Sequence, residues 1–251
     1  MPGSVYKRGS VWYLSVPARD VFPAESRDNP EKGPRPWVIL SAKGRSRTGC
    51  VIAAPMRTRP PRFRTEVRLQ MDMAAPELKQ QSTVCLHQLR TLCLTRTTTK
   101  TPRHQLTARG RLTYQAALEA MFDSATLDRS QQPLYPGALY RLDPLPDQVG
   151  READGADTGL WVVLFSRQHN EVGTVVAAPL ARLPSAATGM DYSIQEPRVL
   201  GSETGQYIRL DRVRCLDQNR FTHHEANVPM MFIGKARRRL ADVMVPLQPP
   251  K

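Results

Sequence analysis

The segment RTRPPRFR sets Arg57, Arg59, Arg62 and Arg64 around Phe63, with prolines that hold the chain extended. An arginine fork donates two hydrogen bonds to a phosphate while staying charged, and a phenyl ring offers a face on which a base can stack. The combination suits an unpaired nucleic-acid strand; a merely solvated basic loop is the plainer alternative. His87, within STVCLHQLRTLCL, is a second residue able to do chemistry. An unperturbed imidazole titrates near neutral pH and can act as a base, although a lone histidine on a strand is more often simply hydrogen-bonded. A further basic run, KARRR from Lys235 to Arg239, reads as a solvated helix face or an auxiliary phosphate contact.

Charge agrees with the phosphate reading. The chain holds 36 lysines and arginines against 23 acids, a net +13 that draws polyanions and makes nucleic acid the first partner to consider. Cys50, Cys85, Cys93 and Cys215 form no C-x-x-C pair, and the five histidines are not spaced from them as zinc ligands would be. No metal or cofactor is expected, and the thiols read as reduced and mostly buried in a cytoplasmic protein. The segment MPGSVYKRGSVWYL lacks the apolar run of a signal peptide, and no stretch is long and apolar enough to cross a membrane.

The elements that must position these residues come twice. GPRPWVILSAKGRSRTGCVIAAP and DTGLWVVLFSRQHNEVGTVVAAP share a skeleton in which Trp37 matches Trp161 and Pro55 matches Pro179, both 124 residues apart. Short apolar runs rich in Val, Ile and Ala predict buried strands. Leu86, Arg90, Leu92 and Arg96 match Leu210, Arg214, Leu216 and Arg220 at the same offset. TEVRLQM alternates as a half-exposed strand should. Each copy closes on a helix: GRLTYQAALEAMFDSATL from Gly110, with Leu112, Ala116, Leu118, Met121 and Phe122 close to one face, and GKARRRLADVMVPL from Gly234. A single register through strands and helix predicts a duplication, with copies over 1–128 and 129–251 and a linker near DRSQQPLYPG. The expected fold is mainly β with small α, as two small barrels packed side by side.

The ordered set RPWVIL, AAPMRT and STVCLHQLRTLCLTR resembles the MazF/PemK (Kid) family of toxin endoribonucleases. Gly33-Pro34-Arg35-Pro36 fits that family's loop end, and His87-Gln88-Leu89-Arg90-Thr91 fits its later strand. The first copy looks like the family nearly throughout; the second is carried mainly by its match to the first. The resemblance implies SH3-like bent barrels, a pseudodimer made of one chain, and single-stranded RNA gripped between the copies. It also implies metal-independent cleavage by attack of the RNA 2′-hydroxyl on the adjacent phosphate, and a small antitoxin as partner.

On that resemblance Arg35 takes the place of the loop arginine and is the first choice for stabilising the phosphorane. Where the family has a threonine, two residues after the Pro55 position, this chain has Arg57, with Thr58 one step on. One step along a strand reverses side-chain direction, so Thr58 does not simply inherit the role, and Arg57 is placed to touch phosphate directly. Gly159 and Ala181 stand at the corresponding positions of the second copy, which therefore lacks the usual site. That copy instead keeps Arg209 and Asp211 where some family members place Arg-x-Asp, with Cys85 and His87 opposite them in the first copy. A composite site of Arg35, Arg209 and Asp211 is one arrangement this permits. The leading expectation is a sequence-selective toxin endoribonuclease. The alternatives are a nucleic-acid-binding regulator that does not cut and a poison of a protein target such as gyrase, in the manner of the similarly folded toxin CcdB.

Overall fold

A computed structural model describes residues 6–16, 33–41, 49–63, 65–70, 73–75, 80–123, 134–142, 159–165, 173–182, 191–194 and 206–244. The proline-rich loops after the first strand of each copy, Arg64, and the expected linker up to residue 133 lie outside these.

The first copy comprises β1 (Ser10–Leu14), β2 (Arg35–Ile39), β3 (Cys50–Arg57), β4 (Glu66–Leu69), β5 (Ala74–Ala75), β6 (Ser82–Cys85), β7 (Arg90–Cys93), β8 (His104–Leu106) and α1 (Ala108–Asp123). The second comprises β9 (Ala138–Leu142), β10 (Leu160–Phe165), β11 (Thr174–Ala181), β12 (Asp191–Ile194), β13 (Gln206–Arg209), β14 (Arg214–Asp217), β15 (Phe221–Asn227) and α2 (Met230–Met244). The apolar runs are strands buried on both faces. Trp37, Ile39, Val51 and Ala53 pack with Trp12 and Leu14 on one side. The alternating residues Val38, Leu40, Ile52 and Ala54 enter a different core on the other. Two-sided burial removes the polar alternation that a half-exposed strand would show.

The long strands β3 and β11 each serve two neighbours. Cys50–Ala53 pair with β7, while Met56 and Arg57 pair with β6. Likewise Thr174–Ala177 pair with β14, and Leu180 and Ala181 with β13. Among the described residues all strand pairings are antiparallel, and the strand order does not close into a barrel. The two copies join across β7 and β14, where Arg90 and Arg214 are register partners. Two matched bonds flank that pair, Thr91 N–H to Val213 O and Cys215 N–H to Leu89 O, both 2.8 Å. This is the pattern of a two-fold axis inside one chain. The larger core runs through both copies, from Leu40, Met56 and Leu86 to Leu164, Phe165 and Leu210. The expectation of two tandem copies, mainly β with small α, holds; the pseudodimer is fused through one core and one continuous set of strands.

Four local expectations change. The helices begin at Ala108 and Met230, 122 residues apart, and buried Tyr114 and Leu118 take the places of Ala236 and Leu240. Gly110 and Gly234 are therefore not equivalent, because the second copy is two residues shorter between Arg220 and Val228. In α1 the buried face is Tyr114, Gln115 and Leu118, while Leu112 is 56% exposed. In β4, Glu66 is buried along with Val67 and Leu69, so the alternation of TEVRLQM misstates its faces. The KARRR run is divided: Arg237 is buried, donating to Leu164 O at 2.5 Å and lying 4.9 Å from the Phe165 ring, while Lys235, Arg238 and Arg239 are exposed. Among the described residues no helix is long and apolar enough to cross a membrane.

Candidate active site

The Trp37–Pro55 register of β2 and β3 brings Arg35, at the start of one strand, and Arg57, at the end of the other, to the same end of the sheet. There Arg57 lies opposite Thr83 of β6, and two residues along β6 Cys85 lies opposite Glu66 of β4. The 3-10 turn Leu86–Gln88 then carries His87 into the same neighbourhood. Strand register thus collects Arg35, Arg57, Glu66, Cys85 and His87 from four segments.

Glu66 is the hub. Its side chain is fully buried, and one carboxylate oxygen accepts from the Arg57 guanidinium, whose side chain is 25% exposed. The other oxygen accepts from the Arg62 backbone N–H at 2.6 Å, which ties down the basic loop. His87 Nε2 stands 3.8 Å from the first oxygen, and its Nδ1 lies 3.1 Å from Thr65 Oγ1. Burial pushes the His87 imidazole down to about 4; Glu66 opposes that shift and Arg57 adds to it. Burial likewise pushes the Cys85 thiol up to about 12, against the pull of Arg57 and Arg35 and with the help of Glu66. Of the two readings of His87, its burial favours the hydrogen-bonded one over the base, since at 1% exposure its charged form lacks water. The cluster offers two guanidiniums of graded exposure over one carboxylate, with a neutral imidazole and a neutral thiol beneath.

The basic loop keeps only part of its expected surface. Thr58, Arg59 and Arg62 are exposed, but Phe63 is half-buried and packs edge-on against His87, with ring centroids 5.4 Å apart. Arg64 lies outside the described residues. Thr58, through its carbonyl, accepts from Arg68 at 3.1 Å, and it lines a cleft of about 270 Å³ with Tyr13, Pro36, Ser82, Arg103 and His104.

In the second copy the charges sit differently. Arg209 grips Asp211 with two bonds of 3.1 and 3.2 Å, and Arg212 Nε lies 3.4 Å from the same carboxylate. All three are buried, at 4–6% exposure. Arg212 also donates to Cys50 Sγ of the first copy at 3.1 Å, and the Thr91 hydroxyl donates to Asp211 O at 3.0 Å. Arg209 and Asp211 thus join an ionic knot that fastens the copies together. Glu66 and Arg212 were not singled out from the sequence. A carboxylate among apolar residues in EVRL is the one signal that pointed to Glu66, because an acid at a buried strand position needs a cationic partner. Among the described residues no three His, Cys, Asp or Glu side chains are grouped to hold a metal ion.

A family profile described as "PemK-like, MazF-like toxin of type II toxin-antitoxin system" matches twice, over residues 7–121 and 135–244. Among solved structures, the chain is similar to the Mycobacterium tuberculosis toxin MazF-mt6, at 20% identity and a TM-score of 0.34, over 45% of this chain and 96% of that one. An endoribonuclease from a mycobacterial species is similar at 18% identity and a TM-score of 0.35, over 48% of this chain and 93% of its own. An endoribonuclease in complex with its cognate antitoxin, also mycobacterial, is similar at 20% identity and a TM-score of 0.32, over 45% of this chain and 91% of its own. No curated protein sequence matches.

Proposed function

The chain belongs to the PemK-like, MazF-like family of type II toxins, and we propose that it is a cytoplasmic endoribonuclease acting on single-stranded RNA from its first copy. The observation that carries this reading is the Arg57–Glu66 pair at the end of the sheet where β2 begins with Arg35. RNA would lie along the exposed Arg59 and Arg62, with Arg35 and Arg57 facing the scissile phosphate. A guanidinium fork matches the equatorial oxygens of a phosphorane and needs no protonation change to do so. As Arg57 turns onto phosphate, the Glu66 carboxylate is released from its ion pair. It then takes the 2′-hydroxyl proton while the 2′-oxygen attacks phosphorus and the bond to the 5′-oxygen breaks. The departing 5′-oxygen takes a proton from water, so the products are a 2′,3′-cyclic phosphate and a 5′-hydroxyl, and no metal enters the scheme. The second copy, with Gly159 and Ala181 at the equivalent positions, serves as scaffold and wall. A small antitoxin with an acidic segment would compete for the same cations.

The test is a mixed RNA pool incubated with purified protein in excess EDTA, followed by mapping of cyclic phosphate ends. We expect discrete cleavage that Arg35→Ala lowers by about 10²–10³-fold, the usual loss for one oxyanion-stabilising donor, with RNA affinity only modestly reduced. Unchanged turnover in Arg35→Ala removes that residue from the mechanism. A second reading, binding without cleavage, draws on the burial of His87 and the commitment of Arg57 to Glu66. It predicts a salt-sensitive gel shift with no cyclic ends.

A further inference from the structure

Away from that cluster, a cavity of about 400 Å³ opens between α1 and Arg8, just ahead of β1, lined by Arg8, Ala108, Arg111, Leu112, Tyr114 and Gln115. Its polar groups are donors in excess of acceptors. Arg8 Nε donates to Leu40 O at 3.0 Å and its Nη2 to Val243 O at 2.6 Å; Arg111 Nη1 donates to Leu106 O at 2.7 Å. An arginine carries five N–H donors, so these carbonyls orient each guanidinium and leave several donors unused. Tyr114 is 1% exposed, and its hydroxyl has no hydrogen-bond partner among the described residues. Both guanidiniums act on that hydroxyl electrostatically, which places the three groups around one locus. A buried hydroxyl without a partner is unusual in a native protein and points to a missing acceptor. Ala108 opens the helix, whose N-terminal dipole adds positive potential there. Apart from Gln115 the remaining lining is apolar, and Leu112 is a large hydrophobic side chain 56% exposed. The Gln115 amide is occupied by Glu119 at 3.2 Å.

We propose that this cavity is a ligand site for a small organic oxyanion, a carboxylate or phosphate ester, carrying a short apolar tail. The oxyanion head supplies acceptors to Arg8, Arg111 and Tyr114 together, and the tail covers Leu112. The volume falls in the range of small-molecule sites and exceeds what an inorganic ion needs. Arg8 also donates to Val243 O in the last turn of α2, so a ligand here would contact a side chain that bridges the two copies.

Calorimetric titration of the full chain with octanoate, octyl phosphate, 1-octanol and inorganic phosphate tests this. Saturable binding of octanoate or octyl phosphate is expected, and whichever binds tighter identifies the head group. Octanol and inorganic phosphate should each bind at least tenfold more weakly. Tyr114→Phe keeps the ring and should weaken the preferred amphiphile about fivefold, the worth of one hydrogen bond. Leu112→Ser, on the surface, should weaken it without changing the melting temperature. No saturable binding by either amphiphile overturns the proposal. So does inorganic phosphate binding as tightly as the esters, or affinity unchanged in both Tyr114→Phe and Leu112→Ser. RNA cleavage is not a readout here, so failure of this site leaves the nuclease reading untouched.

Discussion

Replacing His87 by Gln probes the buried cluster through its pH dependence. In the unfolded chain the imidazole protonates around its ordinary value of 6.5, whereas in the native state burial holds it down to about 4. Between those values the unfolded state binds the proton and the native state does not, so native stability falls as pH falls through that window. Above the upper value both states are neutral, and below the lower value both are charged, so the effect is flat outside it. A displacement of that size corresponds to about 3 kcal/mol, at 1.36 kcal/mol for each pKa unit. At 1% exposure, solvent screening does little to reduce it. Urea melts of wild type and His87→Gln at pH 7, 6, 5 and 4 isolate the contribution, since the exposed His223 and His224 are common to both proteins. At pH 7 the wild type should be the more stable by about 1 kcal/mol, for the lost bond to Thr65. By pH 4 the wild type should have lost about 3 kcal/mol more than the variant, reversing the order. A stability gap that stays constant from pH 7 to 4, or an NMR titration of His87 near neutrality, refutes the argument. The second result would restore His87 as a base.

Further outcomes follow from the same geometry. Arg57→Ala strands a fully buried carboxylate and should cost about 3–5 kcal/mol, whereas Glu66→Ala leaves a guanidinium that can turn to water and should cost about 2–3; equal losses in chemical denaturation would contradict the assigned burial. Gly137→Ala meets both a left-handed backbone, φ +88°, and Val228 O at 2.6 Å from the new Cβ, and should cost about 3 kcal/mol or more. Gly33→Ala, at φ +70° with no described atom within 4 Å of the new Cβ, should cost only about 1 kcal/mol. Differential scanning calorimetry should show one cooperative transition, because a single core runs through both copies; two resolved transitions would mean the copies unfold separately.

The strands and the duplication were legible because their signals are local. Runs such as PWVIL and CVIAAP state both burial and strand type, and a repeat at one spacing needs no coordinates to be seen. The helix pairing went astray by two residues since a short deletion is invisible where the flanking loops are polar and dissimilar. Leu112 misled for a related reason: an apolar residue at helical spacing belongs to the core only if something packs on that face, and here a cavity faces it instead.

Arg35 and Arg57 were visible as candidates from residue type and position along the chain. Their charge partner was not. Glu66 is drawn beneath Arg57 by the β3–β6–β4 register, an arrangement that depends on non-local pairing. The same is true of His87, whose type promises titration near neutrality and whose burial denies it. Arg209 and Asp211 carry the spacing of a reactive pair, yet they are spent on each other and on Arg212 at the junction between copies. Composition and pattern alone determined two mainly β copies with a cationic bias. Which charges face solvent, which are cancelled, and which titrate was decided by tertiary structure, because desolvation and partner distance are properties of neighbours brought from far along the chain.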